Sequence, residues 1–238
     1  MEFKQCLHKY CSEVGIELTD SQMEQFDLYF QMLIEKNKVM NLTAITEVEE
    51  VVLKHMLDCL LIYEPEFFGT NAKVCDLGTG AGFPGMPLKI YKPQLNITLM
   101  DSLGKRLKWL DEVLCRLGLE GVRTCHMRAE DAGSSKQHRE GYDLVLSRAV
   151  ARLSVLAEYC LPLVKVGGYF VAMKASSYEQ ELKDAHNALH TLGGEVVAVK
   201  PVNLPGLDDK RVVIYIKKTK STPKVYPRRA GIPDKSPL

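Results

Sequence analysis

Short apolar runs alternate along this chain with longer stretches in which apolar residues recur every three or four positions. The short runs have the character of strands, and the longer spacing is that of one helix face. Met23, Phe26, Phe30, Leu33 and Ile34 form the first helical stripe, with Thr19 and Gln22 as a capping box ahead of it. That stripe predicts a helical extension packed on the rest of the chain. Residues 74–77, 96–101, 122–127, 142–150 and 169–173 then read as strands. Leu103, Leu107, Leu110, Leu114 and Leu117 mark a helix ended by Gly118, and further helices are expected over 153–163 and 178–192. The second of these stops near Gly167-Gly168 and the third at Gly193-Gly194. Strands alternating with helices imply a parallel twisted sheet. Residues 195–202 and 211–217 are joined without a helix, so an antiparallel hairpin should close the sheet. The expectation is an α/β chain with a seven-stranded, mostly parallel sheet, an antiparallel last strand and an N-terminal helical extension. Its parts are an extension over 1–70, a ligand-binding domain over 71–220 and a basic tail over 221–238, in one compact domain.

The first strand runs directly into Asp76-Leu-Gly78-Thr-Gly80-Ala-Gly82. Glycines after such a strand let the backbone turn tightly and bring peptide groups close to a ligand. A nucleoside-bearing cofactor at the strand's end is therefore expected. The dinucleotide fingerprint needs a glycine where this chain has Phe83, and no Gly-Lys-Ser/Thr follows, which excludes a P-loop. Asp76, two residues before the first glycine, suits a cation better than a pyrophosphate. The Asp-x-Gly-x-Gly-x-Gly pattern resembles that of the class I S-adenosylmethionine (SAM) methyltransferases, whose Rossmann-like fold and phosphate-free cofactor agree with these points. Asp101 ends the second strand, nineteen residues beyond Gly82, where a carboxylate can meet ribose hydroxyls. Ala129 and Glu130 follow the third strand, at the place that lies beside the adenine in that fold.

Composition narrows the class. The 238 residues are 46% hydrophobic, enough for a sizeable core. No run approaches eighteen apolar residues, and the N-terminus lacks a signal-peptide pattern, so no membrane association is expected. Seven scattered cysteines without a C-x-x-C pair suggest neither disulfides nor metal, and fit a reducing cytoplasm. No heptad seam is present, so a monomer is expected. Net charge is +1, but residues 1–60 hold five Lys/Arg against eleven Asp/Glu, and residues 195–238 hold ten against four. A basic end on a neutral whole suggests local contact with a polyanion.

Five further signatures occur in order: Met40-Asn41-Leu-Thr43, His55-Met-Leu-Asp58, Gly82-Phe-Pro-Gly85-Met-Pro87, Leu146-Ser147-Arg148-Ala149 and Tyr226-Pro-Arg228-Arg-Ala-Gly231. Together they resemble the bacterial 16S ribosomal RNA guanine-N7 methyltransferases, the glucose-inhibited division B family, over nearly the whole chain. The resemblance implies methyl transfer from SAM to N7 of a guanine in the rRNA of the small ribosomal subunit. It also implies cofactor contacts at Gly78, Phe83, Ala129, Glu130 and Arg148. Asn41 is a candidate for reading the guanine edge or for capping a helix. Arg148 is a candidate for cofactor, phosphate or guanine O6, and Lys174 for phosphate. His55 and Asp58, three apart on a helix, are candidates for a pair that orients RNA or closes the pocket, or for a plain structural pair. Arg228 and Arg229, beside Tyr226, are candidates for an RNA arm. The rival readings are a SAM-dependent small-molecule methyltransferase, a nucleotide-dependent oxidoreductase and a non-catalytic RNA-binding protein.

Overall fold

A computed structural model describes residues 2–208 and 210–238. Four helical elements come first: α1 (Phe3–Glu13), α2 (Asp20–Met40), α3 (Val48–Val51) and, after a π-helical turn at Val52–Leu57, α4 (Asp58–Leu60). The rest alternates β1 (Lys73–Leu77), α5 (Gly85–Tyr91), β2 (Asn96–Asp101), α6 (Gly104–Leu117), β3 (Val122–His126), α7 (Ala129–Ser134), β4 (Tyr142–Arg148), α8 (Leu153–Cys160), β5 (Val164–Lys174) and α9 (Tyr178–Leu192). β6 (Gly194–Val202), β7 (Arg211–Lys218) and a short α10 (Ile232–Lys235) complete it.

The sheet has the order β3-β2-β1-β4-β5-β7-β6. β1 to β5 are mutually parallel, and β7 enters antiparallel between β5 and β6. The expected seven strands and closing hairpin are therefore present. Strand order reverses at β1/β4, and ligands bind in the crevice beyond the carboxyl ends of strands at such a point.

Alternation along the strands divides the core between the two faces. Val74, Leu144, Leu146, Val171 and Tyr215 face α2, the π-helical turn, α5 and α6. Cys75, Val145, Phe170, Ala172 and Ile214 face α8 and α9. The N-terminal helices share the first core rather than forming one of their own. The capping box at Thr19 and Gln22 is formed, and Gln22 also reaches across to the carbonyls of Ile90 and Tyr91.

One boundary differs from expectation. β5 begins at Val164, so Gly167-Gly168 lies inside the strand rather than before it. Gly167 has φ +89, and a Cβ on Gly168 would come within 2.4 Å of the Asp143 carbonyl. The glycine pair builds a register shift against β4, where a sequence reading takes it for a helix stop.

Candidate active site

β1 ends in a loop whose polar groups are turned inward. Asp76 is fully buried, and its Oδ2 accepts from the Thr79 hydroxyl and the Gly85 amide. Burial pushes its carboxyl up to about 6, against the lowering effect of those two bonds. Its Oδ1 has no hydrogen-bond partner among the described residues. Gly78 and Thr79 donate to the Met100 carbonyl, Gly82 and Phe83 donate to the Thr79 carbonyl, and Gly80 donates to Asp101 Oδ2 at 2.9 Å. These amides are engaged within the protein, contrary to the expectation that they would reach a ligand. A loop with its N–H groups so engaged has little to offer a pyrophosphate, and it suits a ligand without phosphate.

What the loop leaves open is space. Gly78 and Gly80 have φ of +73 and +58, and a Cβ on Gly80 would meet only the Gly78 carbonyl, at 3.9 Å. A cavity of about 360 Å³ lies here, walled by Gly78, Gly80, Phe83, Asp101, Ser102, Leu103, Arg106 and Arg148, with Leu42, Thr43 and His55 from the N-terminal extension. That volume falls within the range of small-ligand pockets. Asp101 is 5% exposed, and Arg106 lies 3.7 Å from its carboxylate. An acid on the cavity wall, an orphaned buried acid oxygen behind it and a glycine-cleared floor fit SAM, a cation without phosphate.

Gly82 departs from its expected role. It has φ +100, and a Cβ there would collide with Met86, the Tyr29 hydroxyl and Leu110. It is needed for close packing behind the loop, not at the ligand. Tyr29, which sequence reasoning missed, donates to the Ala81 carbonyl and so ties α2 to the loop. Ala129 and Glu130 lie outside the cavity wall, at the start of α7. Glu130 Oε1 accepts from the Gly231 amide at 3.0 Å, which joins α7 to the tail.

Arg148 closes the cavity on the other side. Its guanidinium lies 4.8 Å from the Phe83 ring centroid, and Nη1 donates to the Lys54 carbonyl and to Asp58. Asp58 also accepts from Arg211 at 3.2 Å. His55 stacks on Phe83, with Nε2 2.7 Å from Thr43 Oγ1 and Nδ1 3.3 Å from Arg148. Burial, with Arg148 close by, pushes its pKa down to about 4. His55 and Asp58 therefore do not form a pair of their own; the π-helical turn separates them and Arg148 joins them. A buried, neutral His55 supplies no cation for RNA, which corrects that expectation. Asn41 caps α2 with φ +48 and lies just outside the wall formed by Leu42 and Thr43.

A second cavity of about 430 Å³ shares Arg148 and Ala149 with the first. Its wall includes Asp58 of α4, Lys174, Ser176 and Ser177 at and after the end of β5, Glu181 of α9, and Lys210 and Arg211 at the start of β7. Lys174 is here, but its Nζ is held by Glu181 at 2.6 Å and the Ala151 carbonyl at 2.7 Å. Its charge is spent internally, contrary to the expected phosphate role. Lys210 and Arg211 were missed because they read as the mere edge of a strand.

The tail is the largest departure. Arg228 forms a two-pronged pair with Glu158, which is 1% exposed, at distances down to 2.6 Å. Lys218 is fully buried between the Leu161 carbonyl and Thr222, and burial pushes it down to about 8. Of the two candidate arginines only Arg229 is exposed. The segment is docked, not a free arm.

Among the described residues, no group of His, Cys, Asp or Glu could hold a metal, and no helix is long and apolar enough to cross a membrane. The fold is similar to solved methyltransferases. A SAM-dependent methyltransferase from Aquifex aeolicus superposes with a TM-score of 0.52 at 16% identity, over 70% of this chain and 92% of that one. P. horikoshii TYW2 in complex with MeSAdo gives 0.54 at 16%, over 71% and 62%. Curated relatives are much nearer in sequence. Ribosomal RNA small subunit methyltransferase G of Lactobacillus johnsonii is 52% identical over 97% of both chains. The protein of the same name from Alkaliphilus metalliredigens is 48% identical over the full length of both. The family model for rRNA small subunit methyltransferase G matches residues 22–211. The chain belongs to the rRNA small subunit methyltransferase G (GidB) family.

Proposed function

We propose that this chain transfers the methyl group of SAM to N7 of a guanine in 16S rRNA of the small ribosomal subunit. The observation that carries the reading is the meeting of two cavities at Arg148, one floored by glycine and one edged by cations, in a chain of this family. The glycine-floored cavity is the cofactor site. Asp101 would hold the ribose hydroxyls, and Phe83 and Arg148 form the wall on the side of the second cavity. When bound there, SAM supplies a methyl group made electrophilic by its sulfonium.

The second cavity holds the target nucleotide. Lys210 stands at its rim for phosphate, Arg211 is held beside it by Asp58, and Ser176 and Ser177 offer hydroxyls. Guanine N7 already has an in-plane lone pair, so the protein need not remove a proton before attack. Accordingly the neutral, buried His55 serves as packing and not as a base. Catalysis then rests on holding the acceptor in line and near, the effect of proximity and orientation. The methylated base becomes cationic, so a bare cation against N7 would oppose the reaction. Arg148 is not bare, because the Asp58 carboxylate faces its charge and, with the Lys54 carbonyl, takes its Nη1 donors.

The test is methyl transfer from labelled SAM to small subunits and to naked 16S rRNA, both lacking the modification. Digestion and mass spectrometry identify the labelled base. A single N7-methylguanine supports the reading. SAM binding without label in either RNA substrate overturns it in favour of a small-molecule acceptor.

A further inference from the structure

The C-terminal segment is basic in sequence, and while Lys224, Arg229 and Lys235 are exposed, Arg228, Thr222 and several backbone groups are turned onto the protein itself. Its contacts converge on α7 and on the neighbouring α8. Arg139, from the loop after α7, donates to the Gly133 carbonyl inside α7 and to the Thr222 and Tyr226 carbonyls of the tail, at 2.7–2.8 Å. Pro227 lies against Gly133, where an added Cβ would come within 2.8 Å of the proline ring. The Arg228 backbone and guanidinium both donate to Glu158 of α8. Three residues later the Gly231 amide donates to Glu130 in the first turn of α7. The root of the segment is fixed as well, by Glu140 on the Thr222 amide and by buried Lys218 on the Thr222 hydroxyl.

α7 begins three residues after β3, and β3 is tied to the cofactor cavity. The Met127 amide donates to the Asp101 carbonyl, and His126 Nε2 lies 2.9 Å from the carbonyl of Ser102 on the cavity wall. A six-residue helix has little stability alone. Its place after β3 must come from what holds it: Ala132 is buried in the core shared with α8, and the tail holds the helix at Glu130 and Gly133.

We infer that residues 222–235 are a strap that positions α7, and through the end of β3 the Asp101–Ser102 side of the cofactor cavity, with Arg228 as the positioning residue. The inference rests on the reading of that cavity as the SAM site. It assigns the basic tail to cofactor affinity rather than to RNA. Arg228 acts at a distance, through Glu158 and through the run of chain that carries Gly231 to Glu130.

The experiment uses the full chain with Arg228→Met, Arg228→Lys and, as a control, Arg229→Ala. SAM affinity is measured by calorimetry, 16S rRNA affinity by filter binding, and melting by calorimetry. Arg228→Met should weaken SAM by about tenfold, in the range of couplings between linked sites, and leave RNA affinity unchanged. Arg228→Lys should recover part of the loss, and Arg229→Ala should leave SAM affinity as it was. Hydrogen exchange of the unmodified protein gives a second measurement that does not depend on a variant folding. Addition of SAM should slow exchange at the Gly231 amide and across α7. Loss of RNA affinity with SAM affinity intact would overturn the strap and restore the RNA arm. A lower melting temperature with neither affinity changed, or no SAM-dependent protection in α7, would reduce the segment to a structural brace. Failure of the unmodified protein to bind SAM at all would instead sink the cofactor reading on which the strap rests.

Discussion

The glycine loop after β1 and the basic tail are each rich in residues that advertise function, and the structure uses them in opposite ways. In the loop, Asp76, Thr79 and the amides of Gly78, Gly80 and Gly82 face inward. What remains outside is glycine surface and empty space, which is what a ligand needs. In the tail Arg228 also faces inward, as does Lys218 at the end of β7 just ahead of it, yet the surface left behind has lost two of its cations. A glycine creates a site by lacking a side chain, and this holds whatever its amide does. A cation creates a site only if no acid of the same chain has claimed it. Motifs built on absence therefore transfer from sequence to structure more safely than motifs built on charge.

The comparison can be broken most forcefully at Glu158. Glu158→Ala leaves Arg228 facing a buried gap, and breaking a buried pair costs about 3–5 kcal/mol. Arg228 is a quarter exposed, so the lower end is expected, read from the denaturant midpoint. A loss under 1 kcal/mol would return the tail to the solvent.

The next effect is pH dependence at the loop's neighbour His55. Its folded pKa of about 4 lies below the unfolded value near 6.5. The unfolded chain binds more protons across that window, so this contribution is fully present above pH 6.5 and fades as pH falls toward 4. Asp76, raised to about 6, works with the opposite sign over nearly the same window and masks it. The His55 part emerges as a difference. His55→Asn should lose less stability than the unmodified chain between pH 6.5 and 4, by on the order of 3 kcal/mol. Parallel stability curves for the two proteins would mean that His55 titrates normally.

Gly80→Leu comes third. Its φ of +58 costs a leucine roughly 1–2 kcal/mol, and the side chain would point into the cofactor cavity. SAM affinity should fall about a hundredfold, or about 2.7 kcal/mol, with the circular-dichroism spectrum unchanged. Retained affinity would falsify the placement of the site. The smallest effect is expected at Arg229, exposed and without a side-chain partner among the described residues. Arg229→Ala should change stability by less than about 0.5 kcal/mol. If this residue meets RNA phosphate, the salt dependence of rRNA binding becomes shallower by about one unit of slope.

Much of the site could be read in advance, for reasons tied to particular residues. Asp76, Gly78, Gly80 and Asp101 stand at fixed offsets from strand ends, so one-dimensional spacing suffices to place them. Arg148 is legible in the same way, as the last residue of β4. Tyr29 was not, because its hydroxyl meets Ala81 across 52 positions of sequence and nothing near Tyr29 announces it. The second cavity was not legible either. Asp58, Lys174 and Arg211 belong to three distant elements, and only the antiparallel entry of β7 beside β5 brings them together.

The sequence by itself determined the order of strands and helices, the closing hairpin, the glycine floor and the absence of a phosphate-binding pattern. These depend on local propensity and on hydrophobic period, which the chain carries residue by residue. Only the tertiary structure decided which charged groups remain available. Ionic partners such as Arg228 and Glu158, or Lys218 and Glu140, lie 70 or more positions apart. Their pairing follows from packing a segment onto a helix face, and no local pattern records that packing.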